Sequence, residues 1–422
     1  MHCKPDSRWG LCVLYFGMMC SSLTLSAQPN AYLWFMNGQR QQGMGHAGTG
    51  LSLGAASTYL NPAGMVYMPR QAEIQFGTTL LQPQTRFRSS RGNGSVDTTL
   101  RQVSTPVYAY AAWKSKKILF GRRVAFGVSA NNPYGVSTQW PQGWRGKFIV
   151  ESFNISSWVI QPSLALQVSE ELSLGVGLGY VNATLARRQA LPLDGANDTE
   201  SVAEFVGGGT GWAINTGLYY QADEHLSLGA NFRLPYQILL SGEARYQVPE
   251  SLVEQYPEGT WQGPLGIPAI FNMGMGYRTD DRLVVAVDLN VMRWERVDSL
   301  RIILEDIPEG LQQFPTRSLE NSFALRGGLE YVYNESLLLR GGLAYTSSPV
   351  DRGFLSPALP DADQISFSLG GTLIFWKQLF LDFGATYSFT GERTGILDGA
   401  NFAGIYQTRL WQVGAGLRYT FL

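Results

Sequence analysis

From residue 72 to the C-terminus the dominant period along this chain is two residues, the period of a β-strand. Leu172, Leu174, Val176, Leu178 and Tyr180 alternate with Ser173, Gly175, Gly177 and Gly179. Leu379, Leu381, Phe383, Ala385, Tyr387 and Phe389 alternate with Phe380, Asp382, Gly384, Thr386 and Ser388. The last run sets Trp411, Val413, Ala415, Leu417, Tyr419 and Phe421 against Gln412, Gly414, Gly416, Arg418 and Thr420. Fourteen such runs can be marked between 72–90 and 405–422, among them 98–113, 122–135, 211–222 and 267–279. Alternation alone also fits a soluble sandwich with one wet face. Two features favour a membrane barrel instead: runs long enough to cross a bilayer, for which about 9–11 residues suffice, and aromatics near the run ends with glycine and small polar residues on the second parity. Only a closed barrel satisfies every backbone group of such strands in lipid. The expectation is an all-β fold, a fourteen-stranded antiparallel transmembrane β-barrel over 72–422.

Connections at 169–171, 222–224, 279–281 and 334–335 read as short, and those at 249–268, 349–362 and 391–403 as long. Short periplasmic turns and long external loops are the usual asymmetry of outer-membrane barrels. Residues 28–71 lack the period. Gly38, Gly43, Gly45, Gly48, Gly50, Gly54 and Gly64 interrupt it, and Pro62 and Pro69 block extended pairing. A barrel of fourteen strands is wider than one its own side chains can fill. This segment is therefore expected to form a hatch, or plug, within the lumen.

Composition supports that picture. Charged residues make up 15% of the chain, against roughly 25% in soluble domains, and the formal charge of −1 gives no basic face for nucleic acid. Lys4 and Arg8 precede an apolar stretch ending at Ser26 and Ala27, the form of a secretory signal peptide over 1–27. Export to the cell outer membrane follows. All three cysteines, Cys3, Cys12 and Cys20, fall in that leader, which leaves no thiol for a disulfide, a nucleophile or a metal.

Gly43, Gly45 and Gly48 match a dinucleotide fingerprint in spacing, but no apolar strand precedes them and no helix pattern follows. His46 and His225 are the remaining histidines, without metal-ligand spacing, and His225 lies at an expected periplasmic turn. No enzyme activity, cofactor or metal is expected.

Three stretches resemble one known family, the FadL-like outer-membrane transporters of long-chain fatty acids and hydrocarbons. The first runs from Gly43 to Gly50 and on to Asn61, Pro62, Ala63 and Gly64, similar to the family's hatch with its Asn-Pro-Ala motif. The second, Asn132, Pro133, Tyr134 and Gly135 through Trp140, is similar to the end of the family's third strand. The third, Arg340 to Val350 with Pro357 to Asp363, resembles a late hairpin. The resemblance implies passive uptake of a hydrophobic molecule, long-chain fatty acids foremost, with hatch movement at Asn61–Gly64 and lateral release at an interrupted third strand around Asn132–Gly135. The loop after that strand is short here, which leaves the cargo open among fatty acids, aromatic hydrocarbons and signalling lipids.

Arg233, Arg326, Arg340 and Arg418 fall on the glycine-rich parity and should face the lumen, as partners for a cargo carboxylate or for Glu330, Asp382 and Asp288 across strands. Expected partners are hydrophobic small molecules and outer-membrane lipid or lipopolysaccharide, around a monomeric barrel. A surface adhesin using the long loops is the competing reading. An aqueous porin is a third, which the plug disfavours.

Overall fold

The computed structural model describes residues 38–90, 94–116, 121–193, 201–294, 303–304 and 319–421. The leader and residues 28–37 lie outside them. Fourteen antiparallel strands close on themselves. They are β1 (Ala72–Ser89), β2 (Val107–Lys114), β3 (Val124–Asn131 and Gly135–Gln139), β4 (Ser152–Gln167), β5 (Leu172–Ala190), β6 (Val202–Gln221) and β7 (Leu226–Arg233 and Tyr236–Gln247). There follow β8 (Gly259–Ile267 and Ala269–Arg278), β9 (Leu283–Arg293), β10 (Ser322–Asn334), β11 (Leu337–Thr346), β12 (Gln364–Trp376), β13 (Leu379–Phe389 and Arg393–Leu397) and β14 (Phe402–Phe421). Neighbours in sequence pair with one another, and β14 pairs with β1 from Ala72↔Phe421 to Ser89↔Gly404, which seals the barrel.

The hydrophobic pattern is inside out. Leu174, Val176, Leu178 and Tyr180 of β5 are exposed while Ser173, Gly177 and Gly179 are buried. Leu369 is 71% exposed and Trp376 70%. Contiguous apolar exposure on this scale has no place on a soluble monomer and suits a hydrocarbon solvent. On β14 the outward apolar run from Trp411 to Phe421 covers eleven residues, or ten residue steps. At about 3.3 Å per residue and a tilt near 40° it covers a band of about 25 Å, the height of an outer-membrane hydrocarbon layer.

Several strands extend where the sequence pattern had suggested loops. β6 begins at Val202 rather than 211, and its upper half carries Gly207, Gly208 and Gly209. Those glycines look like a linker, yet Gly207 is where the fully buried indole of Trp261 lies, 2.6 Å from where a Cβ would stand. Residues 259–267, placed in a loop by their Gly and Pro content, pair with β7 from Tyr236↔Ile267 to Ala244↔Gly259. Residues 393–397 likewise pair with β14. β2 is shorter than 98–113: Pro106, without an N–H, ends its ladder, and beyond it β1 is met by Ser104, in a single bridge to Leu81, and by Val96–Thr98. The fourteen-strand count is unchanged by these shifts.

Residues 38–71 contain a short helix, α1 (Gln39–Gly43), another, α2 (Ser57–Leu60), and two 3₁₀ turns, Gly54–Ala56 and Pro62–Tyr67. Met44, Ala47, Ala55, Ala56, Ala63, Met65 and Val66 are wholly buried against the inner wall.

Candidate functional site

The inner wall meets the N-terminal segment through glycine. A Cβ at Gly414 would overlap the Gln39 side chain, one at Gly342 the amide of Gly45, and one at Gly328 the carbonyl of Met44. The same holds for Gly229 against Thr49, Gly217 against Asn61, Gly175 against Ala63 and Gly127 against Thr58. The segment thus touches β14, β11, β10, β7, β6, β5 and β3, with backbone at Met44, Gly45, Thr49 and Ala63 and with side chains at Gln39, Thr58 and Asn61. Glycine on the inward parity is required by that approach, since any side chain would hold the two backbones apart.

Polar contacts complete the seat. Asp288 of β9 accepts three hydrogen bonds through Oδ2: from the Gly48 amide at 3.0 Å, the Thr49 amide at 2.9 Å and the Thr49 hydroxyl at 2.7 Å. Four asparagines form a ladder across adjacent strands. Asn290 donates to Asn272 at 2.6 Å, Asn272 to Asn231 at 3.0 Å, Asn231 to Asn215 at 2.5 Å, and Asn215 to the Tyr59 carbonyl at 2.7 Å. Asn61 is buried, and its Nδ2 donates at 3.1 Å to both the Thr49 carbonyl and the Leu218 carbonyl of β6. Pro62 opens the 3₁₀ turn, the Ala63 carbonyl accepts from the Ser173 hydroxyl at 2.8 Å, and Gly64 is tied to Ser52. Asn61, Pro62 and Ala63 therefore lie at the junction of segment and wall, and Gly64 is held within the segment.

A second group of contacts is ionic. Arg40 of α1 makes a two-pronged pair with Glu330, at 2.8 and 2.7 Å. Glu330 also accepts from Arg340 at 2.7 Å; Arg340 reaches Asp382 at 3.5 Å; Asp382 accepts from Arg418 at 3.1 Å. Arg418 lies 3.9 Å from Glu73, whose carboxylate in turn accepts from the Ala55 amide at 2.8 Å. Six alternating charges thus run from Arg40 on the N-terminal segment to Glu73 on β1, whose bond to Ala55 returns to the segment. Each buried charge has an opposite neighbour, the condition under which charge is tolerated away from water. Arg340 and Arg418 are engaged here. The pattern had marked Glu330 and Asp382 as their cross-strand partners; Arg40 and Glu73 carried no local signal.

Arg233 and Arg326 stand elsewhere. Arg233 lies over the Tyr59 ring, 4.0 Å from its centroid, and donates at 2.9 Å to the hydroxyl and carbonyl of the same residue. Arg326 donates to the His46 carbonyl at 3.4 Å. Both line one small cavity with Asp288, Asn290, Tyr59, Pro133 and Tyr134. Its volume is about 40 Å³, room for water and not for an alkyl chain. His46 borders it in a left-handed conformation, φ 64°. Burial and the charge of Arg326 push its pKa down to about 3, so the imidazole is neutral.

The interruption of β3 touches this cavity. Asn131 pairs with Val159 and Gly135 with Ser156, so Asn132, Pro133 and Tyr134 stand opposite two residues, a bulge. Side chains bridge the gap in the ladder. Asn132 accepts from the Val107 amide at 2.9 Å and donates to the Ser157 carbonyl at 2.7 Å. The Ser157 hydroxyl accepts from the Tyr134 amide and donates to the Tyr134 carbonyl, at 3.1 and 2.8 Å.

A closed fourteen-strand barrel with a lipid-facing apolar belt and an inward-seated N-terminal segment is an outer-membrane architecture. The model of the family described as outer membrane protein transport protein (OMPP1/FadL/TodX) matches residues 22–421, and the chain belongs to that family. Outer membrane protein P1 of Haemophilus influenzae is 24% identical over 294 residues, 63% of this chain and 62% of that protein, so the match spans less than two thirds of that relative. The long-chain fatty acid transport protein of Escherichia coli K12 is 19% identical over 428 residues, covering 92% of this chain and 94% of that one. Among solved structures, a Pseudomonas aeruginosa FadL homologue superposes with a TM-score of 0.81 at 16% identity, over 93% of this chain and all of that one. A Pseudomonas putida toluene transporter, TodX, does so at 0.66 and 15% identity, over 90% and 97%. At these identities the structural likeness establishes the fold.

Proposed function

We propose that the chain is a passive outer-membrane transporter of hydrophobic molecules, long-chain fatty acids foremost, in which the hatch shifts and cargo leaves sideways through the interruption of β3. The observation that carries this reading is the shared cavity: Pro133 and Tyr134 of the wall break, Tyr59 of the hatch, and Arg233 and Arg326 all border one space. A cargo carboxylate drawn to the two guanidiniums would have its tail at the break. Because the break is bridged by side chains, it can part without unzipping a ladder. Lateral exit also keeps the tail out of water, at roughly 0.8 kcal/mol per methylene. The closed cavity requires that the hatch move for cargo to pass. The relatives bear names of fatty acid and toluene transporters; the two arginines favour an acid over a hydrocarbon.

Uptake of labelled oleate by cells expressing the chain in place of their own transporter tests the reading. The double substitution Pro133→Ala with Gly135→Val, which returns the missing N–H and stiffens the break, should reduce uptake severalfold with surface levels unchanged. Unaltered uptake sinks lateral release at β3. Deleting 28–70 should admit small hydrophilic solutes, and an intact permeability barrier after that deletion would contradict the hatch. Toluene entry in parallel with oleate separates the two cargo classes.

A further inference from the structure

At the long-loop rim, on the outward face where β13, β14 and β1 meet, the barrel wall has a recess that transport does not use. β13 bulges there. Phe389 pairs with Arg409 and Arg393 with Tyr406, so Thr390, Gly391 and Glu392 stand opposite two residues of β14. Gly391 contributes no side chain, and a concavity of about 480 Å³ opens between Tyr387, Phe389, Glu392, Gln407 and Arg409, with Arg86 across β14 at its edge.

Its surroundings are cationic above and aromatic below. Arg409 is the first charged residue above the outward apolar run that ends at Trp411. Gln84 pairs with Arg409 and Arg86 with Gln407, so Arg86 is the diagonal neighbour of Arg409, about 7–8 Å away. Arg88 follows two residues on, on the same face. Against these three guanidiniums stands, among the described residues, one carboxylate, Glu392, 2.9 Å from Arg88. Asp97, the other nearby acid, pairs with Phe87, lies on the opposite face and is bound to Arg145. Two other arginines of the rim have carboxylate partners: Arg188 pairs with Glu151 and Glu204, and Arg245 with Glu243. Here two positive charges are left over, at headgroup height, on a surface that faces lipid.

We infer that this recess binds the phosphorylated headgroup of an outer-leaflet glycolipid, of the lipid A type. Arg86 and Arg409 hold a phosphate monoester in charge-assisted hydrogen bonds, with Arg88 adding to the field. Tyr387, Phe389 and Trp411 offer aromatic surface to the sugar and to the first methylenes of the acyl chains. A doubly charged monoester matches the uncompensated pair of guanidiniums, whereas a singly charged phosphodiester leaves one without a counter-charge. The site is independent of what crosses the lumen and depends only on which leaflet meets the long-loop rim.

Native mass spectrometry on the detergent-solubilised full chain, delipidated and titrated with bisphosphorylated lipid A, tests it. Lipid A should bind at least tenfold more tightly than phosphatidylglycerol, and the double variant R86Q/R409Q should lose that preference. R409Q alone should weaken lipid A binding at least threefold, which keeps the test alive if the double variant folds poorly by heat-modifiable electrophoresis. R188Q, the same charge change at a paired rim site, should bind as the wild type does. Equal affinity for the two lipids, undiminished binding by either arginine variant, or an equal loss in R188Q overturns the site. Binding of inorganic phosphate alone at comparable strength also overturns it, since the recess would then recognise an anion and not a lipid.

Discussion

Gly274 of β8 and Gly50 of the hatch touch backbone to backbone: a Cβ built on Gly50 lies 2.7 Å from the Gly274 carbonyl, and one built on Gly274 lies 2.7 Å from the Gly50 amide. Each glycine is there because of the other. Gly274→Val and Gly50→Ala should each lift the hatch from its seat. Overpacking of this kind costs about 1–3 kcal/mol, so the fraction of open channels in planar bilayers should rise roughly five- to hundredfold, at 1.4 kcal/mol per tenfold. The double variant should fall well short of the sum, because one contact is lost twice. Closed, wild-type-like traces from Gly274→Val would show that the wall does not hold the hatch here.

Asp288 anchors the next two residues of the same loop, Gly48 and Thr49. Hydrogen bonds to a charged group are worth about 1.5–3 kcal/mol. Asp288→Asn keeps the shape and removes the charge, and should raise hatch opening about tenfold or more in the same bilayer assay. The thermal midpoint of the barrel should stay within a few degrees, since the strand ladder is untouched.

His46 should make the seating of the N-terminal segment sensitive to acid. Seated, its imidazole is held neutral down to about pH 3 by burial and Arg326; released into water, it titrates near 6.5. The released state therefore binds the extra proton between those two values. Acidification from pH 7 towards pH 4 should favour release, and raising pH above 7 should change nothing through this residue. His46→Gln should flatten the part of the conductance–pH curve that begins below 6.5. A curve of unaltered shape in that variant would remove His46 from the response.

Glu330 sits between Arg40 and Arg340. Glu330→Gln leaves the fully buried Arg340 with Asp382, which it shares with Arg418. Breaking a buried pair on one side costs about 3–5 kcal/mol. The temperature at which the folded band is lost in heat-modifiable electrophoresis should drop clearly, by more than for Arg40→Ala, which removes only the half-buried outer partner.

What the sequence determined by itself was the wall. A two-residue period repeated fourteen times states which side of each strand meets lipid, because alternation follows from pleat geometry and needs no neighbour to be read. The inward glycines were visible too, but their reason was not: Gly229 is required by Thr49, 180 positions away, and nothing local says so. Only the folded barrel brought Arg40 to Glu330, stacked Asn290, Asn272, Asn231 and Asn215 into one ladder, and showed that the glycine-rich stretch at 207–209 is strand, opened by a distant tryptophan. Periodicity is a property of one strand, whereas charge pairing, ladder register and close approach belong to pairs of segments that meet only when the barrel closes.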